Sequence, residues 1–170
     1  AVGRSIPNVK TVMVVSLGAQ TTDIAVLKNG VLAFTRSVGS GGEAITRAIA
    51  QNLDFTVTQA EEYKRTYGLA KDKLEGKIMN AATPIMDTIV AEMKRSIAFF
   101  EEKYKEQHVE TILLSGGTAR LPGMVVYLAE ALNFEVQLAN PWVGIAKDAR
   151  FNVLNTEGPN FCVAVGLALR

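Results

Sequence analysis

The chain has 170 residues, 48% of them hydrophobic and 21% charged, which fits one ordinary domain, or two small subdomains sharing a core, and excludes disorder. Its 18 Lys and Arg stand against 17 Asp and Glu, a formal net charge of +1, so no general field draws it to nucleic acid or an anionic membrane. One cysteine, Cys162, and one histidine, His108, exclude an intrachain disulfide framework and are too few for an ordinary structural zinc site.

Residues 1–10 lack periodicity and read as a lead-in. TVMVVSL (11–17) and TDIAVLK (22–28) are rich in β-branched residues and are joined by GAQT, which predicts two strands. Asn29-Gly30 before VLAFTRSV (31–38) is a strong hairpin signal and completes an antiparallel meander. Gly39, Gly41 and Gly42 then break the strand pattern. Ile45, Ala48, Ile49 and Leu53 fall at helical spacing, predicting a helix over 43–53. A second helix is expected from Thr58, which with Glu61 has capping-box spacing, and Tyr67-Gly68 ends it. Residues 69–82 are polar, contain Gly76 and read as a loop or small projecting element.

Thr83-Pro84 suggests the start of a long helix. Met86, Val90, Met93, Ile97, Phe100 and Tyr104 keep one face apolar for about six turns. VETILLS (109–115) reads as a strand buried on both faces. Ser115-Gly116-Gly117-Thr118 turns into a helix from Pro122-Gly123 to about Leu132, FEVQL (134–138) is a strand, and a last helix spans about Pro159 to Leu169. The order β-β-β-α-α-α-β-α-β-α predicts one mixed sheet with helices on its faces. No apolar run approaches the roughly 20 residues of a membrane span, and residues 1–10 lack the apolar centre of a signal peptide. A soluble intracellular domain is the expectation.

Two turns are candidate ligand sites. The Gly18-Ala19-Gln20-Thr21-Thr22 turn can aim backbone N–H groups at one anion, and its threonines add hydroxyls. Gly116-Gly117-Thr118 sits at the carboxyl end of a buried strand, where ligands of α/β folds bind, and its glycines let the backbone approach something flat or bulky. Each taken alone is more simply a tight connection. Glu61 and Lys64 share a helix face, which is more simply a solvated pair. His108 reads as a surface residue, Cys162 as core and Trp142 as loop packing. One His and one Cys assemble no catalytic triad.

In order along the chain, LGAQTTDIAVLKNGVLAFTRSV, GGEAITRAIAQNL, AEEYKRTYG, KRSIAFFE, LSGGTARLPGMVVYLAEAL, ANPW and FCVAVGLALR resemble the second lobe of the actin-like ATPase superfamily, which includes actin, sugar kinases, MreB and FtsA. Within it they are most similar to the PilM family of type IV pilus assembly, over about residues 9–170. The resemblance implies an RNase H-like α/β lobe with a mixed five-stranded sheet. Residues 11–53 and 84–170 would form its core, and 54–83 a small inserted subdomain.

In that superfamily two lobes close on ATP and Mg²⁺. The resemblance implies that Gly18, Ala19, Gln20, Thr21 and Thr22 hold the β- and γ-phosphates. Glu61 and Lys64 would approach the ribose and base, and Gly116, Gly117 and Thr118 the adenosine. The family often has Asp where this chain has Ser16, and a neutral hydroxyl cannot replace a carboxylate toward Mg²⁺. No metal ligand or catalytic residue is therefore assigned. Because the chain resembles one lobe, it reads as a domain or fragment of a longer protein, with weak ATP binding and no hydrolysis by itself.

The implied role is cytoplasmic scaffolding of pilus assembly, peripheral to the inner membrane through partners, with ATP as a conformational ligand. The implied partners are the cytoplasmic tail of PilN, bound mainly by the other lobe, and further platform proteins, with self-association left open. Nucleic acid and direct membrane insertion are not expected. Two alternatives remain at this point: part of an active ATPase or sugar kinase, and an FtsA-like membrane-docked filament subunit.

Overall fold

The computed structural model describes residues 9–146, 154 and 156–169. Five strands form one mixed sheet in the order β3-β2-β1-β4-β5. β1 (Thr11–Leu17), β2 (Thr22–Lys28) and β3 (Val31–Val38) form the antiparallel meander, with bounds as expected. Asn29 and Gly30 both have positive φ, 50° and 77°, as a two-residue primed turn requires. β4 (Thr111–Ser115) lies parallel to β1, and β5 (Val136–Leu138) parallel to β4. The parallel register sets Ser16 beside Ser115, so the turns after β1 and β4 leave the sheet side by side.

Alternation along β1 sorts its side chains between two faces. Met13, Val15 and Leu17 join Ile24 and Val26 under α1 (Gly42–Leu53), α3 (Lys77–Lys103) and α4 (Met124–Leu132). Val12 and Leu113 face the other way and meet Cys162 of α5 (Gly158–Ala168). Every residue of β4 is buried, as its unbroken apolar run predicts for a strand covered on both faces. Met86, Ile89, Met93 and Phe100 give α3 its fully buried stripe, each contributing about 1.5–3 kcal/mol of apolar burial.

Two helix starts differ from the sequence expectation. α2 (Val57–Tyr67) is capped by Thr56, not Thr58: the Thr56 side chain accepts from the Gln59 amide, and the Gln59 side chain accepts from the Thr56 amide. Both Thr-x-x-Glu/Gln registers satisfy a capping box, but Glu61 is taken by Lys64 and Arg65. α3 begins at Lys77, so Pro84 lies inside it. Ile78, Ala81 and Ala82 are buried ahead of the proline, and that burial outweighs a missing backbone donor on an exposed face. Only the first part of 69–82 is a connection, with a short 3₁₀ turn over Leu74–Gly76. β5 is also shorter than FEVQL, because Asn133 leaves α4 at φ 57° and pairing starts at Val136.

Two backbones cross where α2 ends and α4 begins. The Leu69 amide donates to the Pro122 carbonyl at 2.7 Å. A Cβ on Gly68 would come within 2.3 Å of that carbonyl, and one on Gly123 within 2.7 Å of Leu69. Thr56 at one end of α2 and this crossing at the other fix the helix over the carboxyl end of the sheet.

Candidate functional site

The turn after β1 is built by hydrogen bonds from three elements. The Gly18 amide closes it onto the Thr21 carbonyl at 2.9 Å. The first amides of α1 then hold its outer carbonyls: Gly42 donates to Gly18 at 2.9 Å and Glu43 to Ala19 at 2.8 Å. Thr118, from the turn after β4, adds its hydroxyl to the Gly18 carbonyl at 3.0 Å. Among the described residues no acceptor takes the amides of Ala19, Gln20 or Thr21. Three consecutive free N–H groups therefore stand on a turn whose carbonyls are fixed from behind.

Glycine is required at two contacts in this assembly. Gly116 has φ 86°, and a Cβ there would lie 2.4 Å from the Leu17 carbonyl. A Cβ on Gly42 would lie 2.5 Å from the Thr118 hydroxyl. These close approaches draw the two turns and the start of α1 together under one cleft of about 730 Å³.

α2 forms the opposite wall through a charge network. Lys64 is 6% exposed. Its ammonium donates to the Gly42 carbonyl at 3.0 Å and the Thr46 hydroxyl at 2.7 Å, and lies 2.6 Å from Glu61 Oε2. These contacts use all three of its protons, so Lys64 is a post joining α2 to the start of α1. Glu61 Oε2 also accepts from Thr46 at 2.6 Å, and Oε1 from Arg65 at 2.7 Å. Burial pushes the Glu61 carboxyl up, but the hydrogen bonds from Lys64, Thr46 and Arg65 outweigh it. The result is a pKa of about 2 against the usual 4.5.

Of the residues singled out in the sequence, Ala19, Glu61, Lys64, Gly117 and Thr118 line the cleft. Gly116 lies against Leu17 beneath it. Gly18, Gln20 and Thr21 complete the turn beside Ala19. Thr22 is fully buried, with its hydroxyl on the Ser40 carbonyl at 2.8 Å. Sequence reading missed Gly42, Glu43, Arg65, Arg120, Leu121 and Asn160, which also line the cleft. Gly41-Gly42 before an amphipathic run was the available signal for the first two. Arg120 hydrogen-bonds Glu157 from 37 positions away, a contact that no local pattern announces, and Asn160 joins the same carboxylate from the first turn of α5.

Outside the cleft the plainer readings fit. Trp142 donates its indole N–H to the Leu154 carbonyl at 2.7 Å and packs against Phe161. His108 is exposed, with Nδ1 3.3 Å from Glu101 Oε1. Cys162 is buried, and its burial pushes the thiol pKa up. Ser16 faces Asp23 across β1 and β2, and Asp23 accepts hydroxyls from Ser37 and Thr21. No helix among the described residues is long and apolar enough to cross a membrane.

A mixed five-stranded sheet with two converging strand-end turns and an overhanging helix pair is the lobe of an actin-like fold. The family described as Type IV pilus assembly protein PilM matches residues 4–170, and the chain belongs to it. Among solved structures, it is similar to a PilM-PilN type IV pilus biogenesis complex, with 31% identity and a TM-score of 0.82, covering 98% of this chain and 47% of that one. The ethanolamine utilization protein EutJ of Carboxydothermus hydrogenoformans shares the fold at 21% identity and a TM-score of 0.69, covering 99% of this chain and 51% of that one. The cell division protein FtsA of Bacillus subtilis is 25% identical over a gapped alignment of 174 positions that covers 92% of this chain and 37% of that protein. The chain thus spans between about a third and about half of the length of these relatives.

Proposed function

We propose that this chain is the nucleotide-facing lobe of a PilM-like cytoplasmic protein that scaffolds type IV pilus assembly at the inner membrane. ATP would act on the intact protein as a conformational ligand. The observation that supports this best is the meeting of the two strand-end turns, with the free amides of Ala19, Gln20 and Thr21 beside the cleft. Backbone N–H groups on a fixed turn suit phosphate oxygens. Gly117 and Thr118 offer a low surface for the adenosine, with Gly116 keeping the backbone close to Leu17. Glu61, ionised at neutral pH, is the acceptor for ribose hydroxyls. Lys64 acts by holding the wall, since its protons are already engaged.

Bound ATP supplies a polyanion joined to a flat base, and so bridges the turn and the α2 wall. The fit to Mg²⁺ is poorer. Ser16 offers a hydroxyl where charge is needed, and Asp23 opposite it already takes two hydroxyl donors. A metal ion would depend on the phosphates and on residues outside this lobe.

A conformational ligand need not turn over, because differential affinity for two states shifts their populations. The PilM-PilN complex among the similar structures supports PilN as partner; its tail would bind a groove on the other lobe. Localisation would be peripheral, through that contact. Calorimetric titration of the intact protein with the PilN tail, with and without ATP, tests this reading: ATP should change the tail affinity without phosphate release. Robust phosphate release would favour an active ATPase of the same superfamily, and lipid-dependent sedimentation an FtsA-like subunit. Tight binding of the tail to residues 1–170 alone would contradict the assignment of its groove.

A further inference from the structure

Among the described residues, the end of the sheet away from the cleft gathers lysines without carboxylate partners. Lys64, Lys71, Lys73 and Lys77 are each paired with an acid. Among the other described lysines, Lys28, Lys103 and Lys105 line one hollow of about 380 Å³, with Tyr104, Glu106 and Gln107. Lys10 stands at its edge, its carbonyl accepting from the Asn29 amide. This end lies about 20 Å along β1 from the cleft, at about 3.3 Å per residue.

Tyr104 gathers these charges. Its ring, packed on Phe100, has the Lys28 ammonium 4.9 Å and the Lys103 ammonium 5.6 Å from its centre. One ring thus attracts cations from β2 and from the end of α3, each interaction worth about 0.5–1 kcal/mol at an exposed site. The nearby acids are mostly turned elsewhere: Glu110 accepts from the Lys10 and Thr11 amides, and Glu101 from the Val109 amide.

We propose that this basic hollow docks an acidic peptide segment of a partner protein, with carboxylates against Lys28, Lys103 and Lys105. The site lies apart from the cleft and does not depend on the nucleotide reading. One observation favours a peptide over a phospholipid surface: Glu106 in the wall repels a dense sheet of anionic headgroups but tolerates carboxylates spaced along a chain.

The test is fluorescence anisotropy of a labelled Glu-rich peptide and its Gln-substituted counterpart on the intact protein. Vesicles with phosphatidylglycerol and inorganic phosphate serve as competing probes. The Glu-rich peptide should bind, its affinity should fall steeply with salt, and Lys28→Gln with Lys105→Gln should weaken it about tenfold. Lys94→Gln, which removes a lysine outside the hollow, should leave binding unchanged. If the double variant melts early, Lys105→Glu replaces it, since Lys105 makes no ring contact. Equal binding by wild type and variants, equal binding of the Gln peptide, or vesicles or phosphate binding at these lysines while the peptide does not, would overturn the proposal.

Discussion

Replacing Lys64 by Met removes the ammonium that ties α2 to α1 while keeping most of the apolar stem. Three acceptors lose their donor: the Gly42 carbonyl, the Thr46 hydroxyl and Glu61 Oε2. Removing one partner of a buried pair costs about 3–5 kcal/mol. The Glu61 side chain is 34% exposed, so water recovers part of this and about 2–3 kcal/mol remains. At about 2–4 °C per kcal/mol for a chain of this size, Tm should fall by about 5–10 °C near neutral pH. The loss has a pH signature. The folded-state pKa of Glu61 is about 2 against 4.5, a depressed value, so its stabilisation is fully present above 4.5 and disappears as pH falls toward 2. Urea melts of wild type, Lys64→Met, Glu61→Gln and the double variant over that window measure it. The gap between wild type and Lys64→Met should narrow on acidification, and the cycle should show about 1–2 kcal/mol of coupling at neutral pH. A gap that is absent, or constant with pH, refutes the reasoning.

Gly116→Ala places a methyl against the Leu17 carbonyl at positive φ and should cost more than about 2 kcal/mol in a urea melt. Pro84→Ala restores a donor inside α3 at an exposed position and should stabilise by about 1 kcal/mol, the helical gain exceeding the entropy lost with proline. Ser16→Asp sets a second carboxylate opposite Asp23, a like-charge cross-strand pair costing about 0.2–1 kcal/mol. Melting with and without Mg²⁺ should show metal-dependent recovery only in that variant. Cys162, buried and with its thiol pKa raised, should react with a thiol reagent only on unfolding, followed by absorbance.

The meander was legible because its signals are local: alternation in 11–17 and 22–28, and Asn29-Gly30 between strands. The two strand-end turns were legible because glycine at a strand terminus announces close backbone approach. The start of α3 was not, since Thr83-Pro84 imitates a cap and only the burial of Ile78, Ala81 and Ala82 shows the helix continuing upstream. Nor was the engagement of Lys64. Its spacing from Glu61 suggests an exposed pair, and only the fold brings Gly42 and Thr46, 22 and 18 positions away, onto the same nitrogen.

The crossing of Gly68 over Gly123 carries a mechanical consequence. With backbone touching backbone and no side chain between to yield, the overhanging helix cannot tilt by itself. Any swing that carries Glu61 toward or away from a guest must pull on the first turn of α4, and through α4 on the outermost parallel strand. Occupancy of the hollow under α2 would then be felt as a shift at the far rim of the sheet, where a neighbouring protein could read it.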